Sequence, residues 1–138
     1  MSRGDARVQR ISSGAPWEDR VGYRRAVRVG DQVFVAGTVS VNPDGSVHAP
    51  GDAGGQAARC LEIIERALGE AGAHLRHVVR TRVYVTDMSP DAQAAVGAAH
   101  HAVFKDCPPA SAMIGVRALA DPAYLVEIEA HAVIYDEE

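Results

Sequence analysis

The sequence predicts an α+β fold. One domain spanning 1–138 carries a mixed sheet with two helices on one face, in the order β-β-β-α-β-α-β-β. Three observations predict it. The stretch Leu125 to Val133 alternates with period two, as a strand with one face in a core does. Val126, Ile128, Ala130 and Ala132 fall on one side, and Glu127, Glu129 and His131 on the other. Ala57, Cys60, Leu61, Ile64, Ala67, Leu68 and Ala71 follow the i, i+3, i+4, i+7 stripe of an amphipathic helix. The remaining apolar runs are short and set apart by turn formers: Gly30-Asp31, Asn42-Pro43-Asp44-Gly45 and Asp121-Pro122.

Taken in order, residues 1–6 are expected to be disordered, and Arg7 to Ile11 forms a short edge strand. Ser12 to Gly22 reads as a loop holding Trp17, the only tryptophan. Tyr23 to Val29 is a strand that turns at Gly30-Asp31 into the buried run Val33 to Gly37, extended by Thr38 to Val41. Asp52 caps the first helix and Gly72 stops it. Gly54 and Gly55 weaken its first turn by roughly 1 kcal/mol each, so the start should fray or bend. Val79, Thr81, Val83 and Val85 alternate with Arg80, Arg82 and Tyr84 in another strand. Ser89 and Pro90 are cap and first-turn residues of a second helix, with apolar positions at Ala92, Ala95, Val96, Ala99 and Val103 and an end near Asp106. The Pro108-Pro109 step favours extended chain and leads into the last two strands.

A helix covers ~10 Å of sheet and a strand ~4.8 Å, so two helices cover one face of so wide a sheet. Apolar residues such as Val27, Val29, Val33 and Val35 supply the other face in some register, and a second subunit is the economical cover. A formal net charge of −4 disfavours a nucleic-acid surface, which needs clustered cations. Cys60 and Cys107 are too few for a disulfide scaffold. Neither a signal peptide in Met1 to Arg10 nor a run near the ~18 apolar residues of a membrane span is present, so a cytoplasmic protein with no membrane partner is expected. His100 and His101 are adjacent and point about 100° apart on a helix, no spacing suggests zinc, and no phosphate loop or nucleophile elbow occurs. No metal and no cofactor are expected.

Four pieces in order carry a family likeness: Gly22-Tyr23-Arg24-Arg25-Ala26-Val27, Val33-Phe34-Val35-Ala36-Gly37, Val78 to Met88, and Pro109 to Leu119 followed by Val126-Glu127-Ile128-Glu129-Ala130. Over Gly22 to Val133 the chain resembles the Rid (YjgF) family. The resemblance implies a chorismate-mutase-like fold and a homotrimer whose sheets close a central barrel, with a cleft at each interface. It also implies hydrolysis of a small-molecule imine or enamine to a ketone and ammonia, without a cofactor. Members are often labelled endoribonucleases, a reading that the negative charge and 5% aromatic content disfavour here.

The chain departs from that pattern where active members read Pro-Ala-Arg-Ser. Pro109 and Leu119 keep the family spacing, which puts Ser111 at the position of the arginine that grips a substrate carboxylate. A guanidinium holds a carboxylate by two parallel charged bonds, whereas a serine offers one neutral bond. Activity on 2-imino acids is therefore not expected to transfer. The strand-end serine is also changed, to Ala36. By resemblance Glu127 is the cleft glutamate that activates water and Tyr23 the cleft tyrosine. Ser111, Ala36, Gly37 and Met113 would line the pocket; Arg20 or Arg24, which flank Tyr23, would reach in to replace the missing cation, Trp17 would form a lid with Glu18, and Cys107 would sit near the cleft rim.

Each residue has a plainer reading. Glu127 would sit on a wet sheet face or pair with Arg80 or Arg82; Tyr23 would pack at a strand start; Arg20 and Arg24 would be solvated; Cys107 would be an inert thiol. Two function classes stay open: a small-molecule hydrolase, or a trimeric metabolite-binding protein that performs no chemistry.

Overall fold

The computed structural model describes residues 7–136, so the disorder expected for residues 1–6 lies outside the described residues. Six strands form one sheet: β1 (Val8–Ile11), β2 (Ala26–Val29), β3 (Gln32–Val39), β4 (Val78–Val85), β5 (Ala110–Gly115) and β6 (Val126–Val133). Their order across the sheet is β1-β2-β3-β6-β4-β5. Every pairing is antiparallel except β4 with β5, so the sheet is mixed. The central place of β6 follows from its sequence: Val126, Ile128 and Ala132 are fully buried on one face, while the alternate residues are half-buried on the other.

The buried face packs on two helices, α2 (Ala53–Glu70) and α3 (Pro90–Phe104). Cys60, Leu61, Ile64 and Leu68 of α2 meet Val33, Val83, Val85 and Ile128 in the core. Burying each such side chain contributes about 1.5–3 kcal/mol. Asp52 caps α2 by accepting from the Gly55 N–H at 2.9 Å, and Ser89 caps α3 by accepting from Ala92 at 3.2 Å. The glycines do not fray α2, which begins at Ala53. A β-carbon on Gly54 would lie 3.2 Å from the Ala95 carbonyl, so this glycine lets α2 and α3 approach closely.

Two further expectations are revised. Residues read as a loop contain a third helix, α1 (Pro16–Val21), with Pro16 in its first turn and Gly22 ending it at φ 92°. Val33 and Val35 belong to the helix-covered face, 0% and 4% exposed, because Val33 pairs with Ala132 and Val35 with Ala130. The open face instead carries Val8, Val27, Val29 and Phe34 on the far half of the sheet. Phe34 is 45% exposed and stacks on His131 at 4.3 Å. On the near half the same face carries Arg82, Tyr84 and Glu129; Tyr84 donates to Glu129 at 2.7 Å and Arg82 lies 3.5 Å from it.

One irregularity positions the site. Between the pairs Val35–Ala130 and Thr38–Ile128, two residues of β3, Ala36 and Gly37, oppose the single residue Glu129 of β6. This β-bulge bends the strand and re-aims the residues beyond it. Thr38 fixes it, its hydroxyl donating to the Ala36 carbonyl at 2.8 Å.

Candidate functional site

The site grows from the bulge. Past it, Val39 pairs with Glu127, whose carboxylate folds back over Gly37. A β-carbon on Gly37 would stand 3.0 Å from Glu127 Cδ and closer still to Oε2. Only glycine leaves that space free. Glu127 is half-buried, and burial raises its pKa above the usual carboxylate range; the neighbouring Glu129 charge adds to the rise, and Arg25 opposes it.

Arg25 is a site residue that the sequence pattern does not single out. It stands at the head of β2, where its Nη2 donates to the Gly37 carbonyl at 2.6 Å. Its Cζ lies 6.0 Å from the Tyr23 ring centroid, and its buried Nε has no hydrogen-bond partner among the described residues. Burial lowers the Arg25 pKa, while Tyr23, Glu18 and Glu127 act to raise it. The guanidinium therefore joins the bulge, the tyrosine and both carboxylates in one cluster.

Glu18 of α1 anchors that cluster from below. It is 2% exposed, and its carboxylate accepts from Ser12 Oγ at 3.0 Å, from the Ser13 N–H at 3.1 Å and from Ser13 Oγ. Burial pushes its pKa up, but the Ser13 and Ser12 bonds and Arg25 outweigh this and hold it below the usual value. Its backbone carbonyl accepts from both Gly22 and Tyr23, each at 2.9 Å, which closes α1 and delivers Tyr23 to its place.

Tyr23 opens on a groove of about 630 Å³ lined by Arg10, Glu18, Asp19, Gly22, Arg24, Val27, Phe34, Val35 and Ala36 as well. Of the expected pocket residues, Tyr23, Arg24 and Ala36 therefore line this groove, and Gly37 and Glu127 adjoin it through the bulge. Arg24 is engaged at the rim, bonded to Asp19 at 3.0 Å and to the Tyr23 carbonyl at 2.9 Å. Arg20 is exposed on the last turn of α1, and Trp17, 43% exposed on its first, does not line the groove.

Ser111 and Met113 lie elsewhere. They pair with Thr81 and Val83, both buried, so they stand on the helix-covered side of the edge strand β5. Glu127 pairs with Tyr84 and hence shares the open face with Ile114. One chain thus keeps Ser111 and Glu127 on opposite sides of its sheet. Cys107 is a half-buried free thiol just after α3. The second cysteine, Cys60, is buried, and burial and Glu127 push its pKa up to about 12, which keeps it a thiol. No helix of the described residues is long and apolar enough to cross a membrane.

Comparison with known proteins places this geometry. The family model described as endoribonuclease L-PSP matches residues 15–134. An uncharacterized protein of Streptomyces coelicolor is 36% identical over 125 residues, covering 91% of each chain. The crystal structure of Rv2704 from Mycobacterium tuberculosis, a member of the highly conserved YjgF/YER057c/UK114 family, superposes with a TM-score of 0.83 at 43% identity, covering 93% of this chain and 100% of that one. The Escherichia coli YjgF gene product gives 0.74 at 29% identity, covering 90% and 92%. The chain belongs to the endoribonuclease L-PSP (YjgF/RidA) family and has its chorismate-mutase-like fold.

Proposed function

We propose that this chain is a Rid-like hydrolase that adds water to the C=N carbon of a small imine, or of the imine tautomer of an enamine, in a cleft between copies of a homotrimer. The observation that carries the reading is the half-buried Glu127 carboxylate held at the β3 bulge against Gly37, with the Arg25 charge and the Tyr23 groove beside it. A carboxyl with a raised pKa is a stronger base than an exposed one and suits proton abstraction from water near neutral pH.

The steps balance. Glu127 takes a proton from water as the oxygen bonds to carbon, and the nitrogen takes a proton from a second donor. The carbinolamine then collapses: Glu127 returns its proton to the departing nitrogen, ammonia leaves, and the hydroxyl proton passes to solvent as the ketone forms. Tyr23 donates a hydrogen bond that orients the substrate. Because Ser111 stands where a guanidinium would grip a carboxylate, a substrate carboxylate would be desolvated unpaired, and the substrate is a neutral imine.

The exposed surface supports this assembly. Val8, Val29 and Phe34 leave an apolar open face that a second copy would cover. The edge strand β5, mostly exposed, offers the side on which a neighbour's Ser111 would reach the Glu127 of the first copy.

The test is ammonia and ketone release from neutral ketimines generated in situ, with sedimentation run alongside. Turnover by a trimer that falls at least about 100-fold in Glu127→Gln supports the reading. A stable trimer that a metabolite stabilises thermally without any turnover would instead favour a binding protein.

A further inference from the structure

A second chain of polar groups runs through the layer between α3 and the sheet. His100 Nε2 lies 2.9 Å from Thr81 Oγ1, and Thr81 Oγ1 lies 2.8 Å from Ser111 Oγ. Thr81 is fully buried, so water does not interrupt the two bonds. His100 is half-buried on α3, and Ser111 is exposed on β5. The chain therefore starts at a ring nitrogen, passes through one enclosed hydroxyl and ends at an open one.

A threonine hydroxyl carries one proton and has two neighbours here. If it donates to Ser111, His100 must donate its Nε2–H, and the Ser111 proton points out of the chain. If every proton moves one place, Thr81 donates to Nε2 and Ser111 donates to Thr81. A single concerted shift interconverts the two arrangements without moving a heavy atom. Glu127, the base of the proposed reaction, lies on the opposite face of the sheet.

We propose that His100, Thr81 and Ser111 form a proton wire that supplies the nitrogen of the substrate from the β5 wall of the cleft. This rests on the hydrolase reading and names its second proton donor. As water adds to carbon, the Ser111 O–H bond breaks and its proton bonds to nitrogen. Ser111 takes the proton of Thr81, Thr81 takes the Nε2 proton of His100, and Nδ1 takes one from solvent. The ring ends as the other neutral tautomer and resets by exchange. One proton enters from solvent here while the carbinol proton returns to solvent, so the overall addition and expulsion balance. Burial lowers the His100 pKa, which favours the neutral ring that both accepts and donates.

The test follows hydrolysis of a neutral ketimine in mixtures of light and heavy water, for the wild type, Thr81→Val, Thr81→Ser and Ser111→Ala, together with ring-¹⁵N spectra of His100. The wire predicts a bowed dependence of rate on deuterium fraction in the wild type. It predicts a straight one in Thr81→Val and Ser111→Ala, with rates down about 10- to 100-fold. Thr81→Ser restores both, and the ring-¹⁵N shifts of His100 change in Thr81→Val. Ser111 sits on an exposed edge, so its variant keeps the comparison decisive even if Thr81→Val fails to fold. An active wild type whose variants keep full rate and the same isotope curve overturns the wire alone. A wild type that turns over no ketimine overturns the hydrolase reading, and the wire's delivery role falls with it.

Discussion

The Glu127 carboxylate occupies the space that a side chain on Gly37 would fill. The two residues come together because Ala36 and Gly37 bulge against Glu129, which turns the end of β3 towards β6. The base of the proposed reaction is thus aimed by a backbone defect.

Gly37→Ala tests this aim. The added carbon meets the tip of a flexible side chain, so the fold should absorb it with a melting point lowered by no more than about 4 °C. The displaced carboxylate should nonetheless cost about 100-fold in kcat on a ketimine. Loss of stability with unchanged kcat per folded molecule would show that the placement of Glu127 does not matter.

Arg25→Gln should move the pH profile. Arg25 holds the Glu127 pKa down against burial and Glu129, so removing the charge raises that pKa further. A base works only when ionised, and the acid limb of kcat/KM should shift to higher pH. An unmoved limb would place Arg25 outside the electrostatics of the site.

Glu127→Gln should stabilise the protein at neutral pH. Because the folded pKa lies above the unfolded one, the native state binds the proton more tightly. The stability this gives is complete below the unfolded pKa and is lost as pH rises through the folded one. Glutamine removes the loss, so the variant should melt above the wild type at pH 8 and lose that advantage near pH 4, as read by thermal unfolding at both values.

Glu18 behaves in the opposite sense. Its lowered pKa means stability that is present above the ordinary carboxylate range and lost as pH falls through the folded value. Glu18→Ala should remove the hydrogen bonds from Ser12 and Ser13, at a cost of about 0.5–1.5 kcal/mol each because both serines are open to water. It should also loosen Tyr23. Denaturant unfolding and ketimine kcat measure the two effects; a variant as stable as the wild type contradicts the anchoring role.

Much of the architecture was legible in the chain. The alternation of Val126 to Ala132 and the stripe from Ala57 to Leu68 each expose one period, because each element has one face in a single core. The face of Val33 and Val35 was not legible, since Val27 and Val29 are equally apolar and only the β3–β6 register separates the pairs. Helix α1 was hidden by its brevity and by Pro16 and Gly22, which punctuate loops as readily as a six-residue helix. The bulge leaves no trace in hydropathy. Arg25 looks in sequence like one more solvated flank beside Arg20 and Arg24; its inward course depends on the Gly37 carbonyl, which the bulge alone presents. Ser111 is found by spacing, but its partners Thr81 and His100 come from two other elements, and no pattern along the chain links them.

The central claim is that Glu127 of one copy and Ser111 of the next share a cleft. Mixing subunits tests it most directly. Glu127→Gln and Ser111→Tyr should each be folded and inactive on a neutral ketimine, the first lacking its base and the second blocked at the β5 wall. Unfolded and refolded together in equal amounts, they should regain about a quarter of wild-type turnover, because random assembly gives one cleft in four both intact residues. Mixed oligomers that stay inactive, from parents that are folded and a wild type that is active, would contradict it.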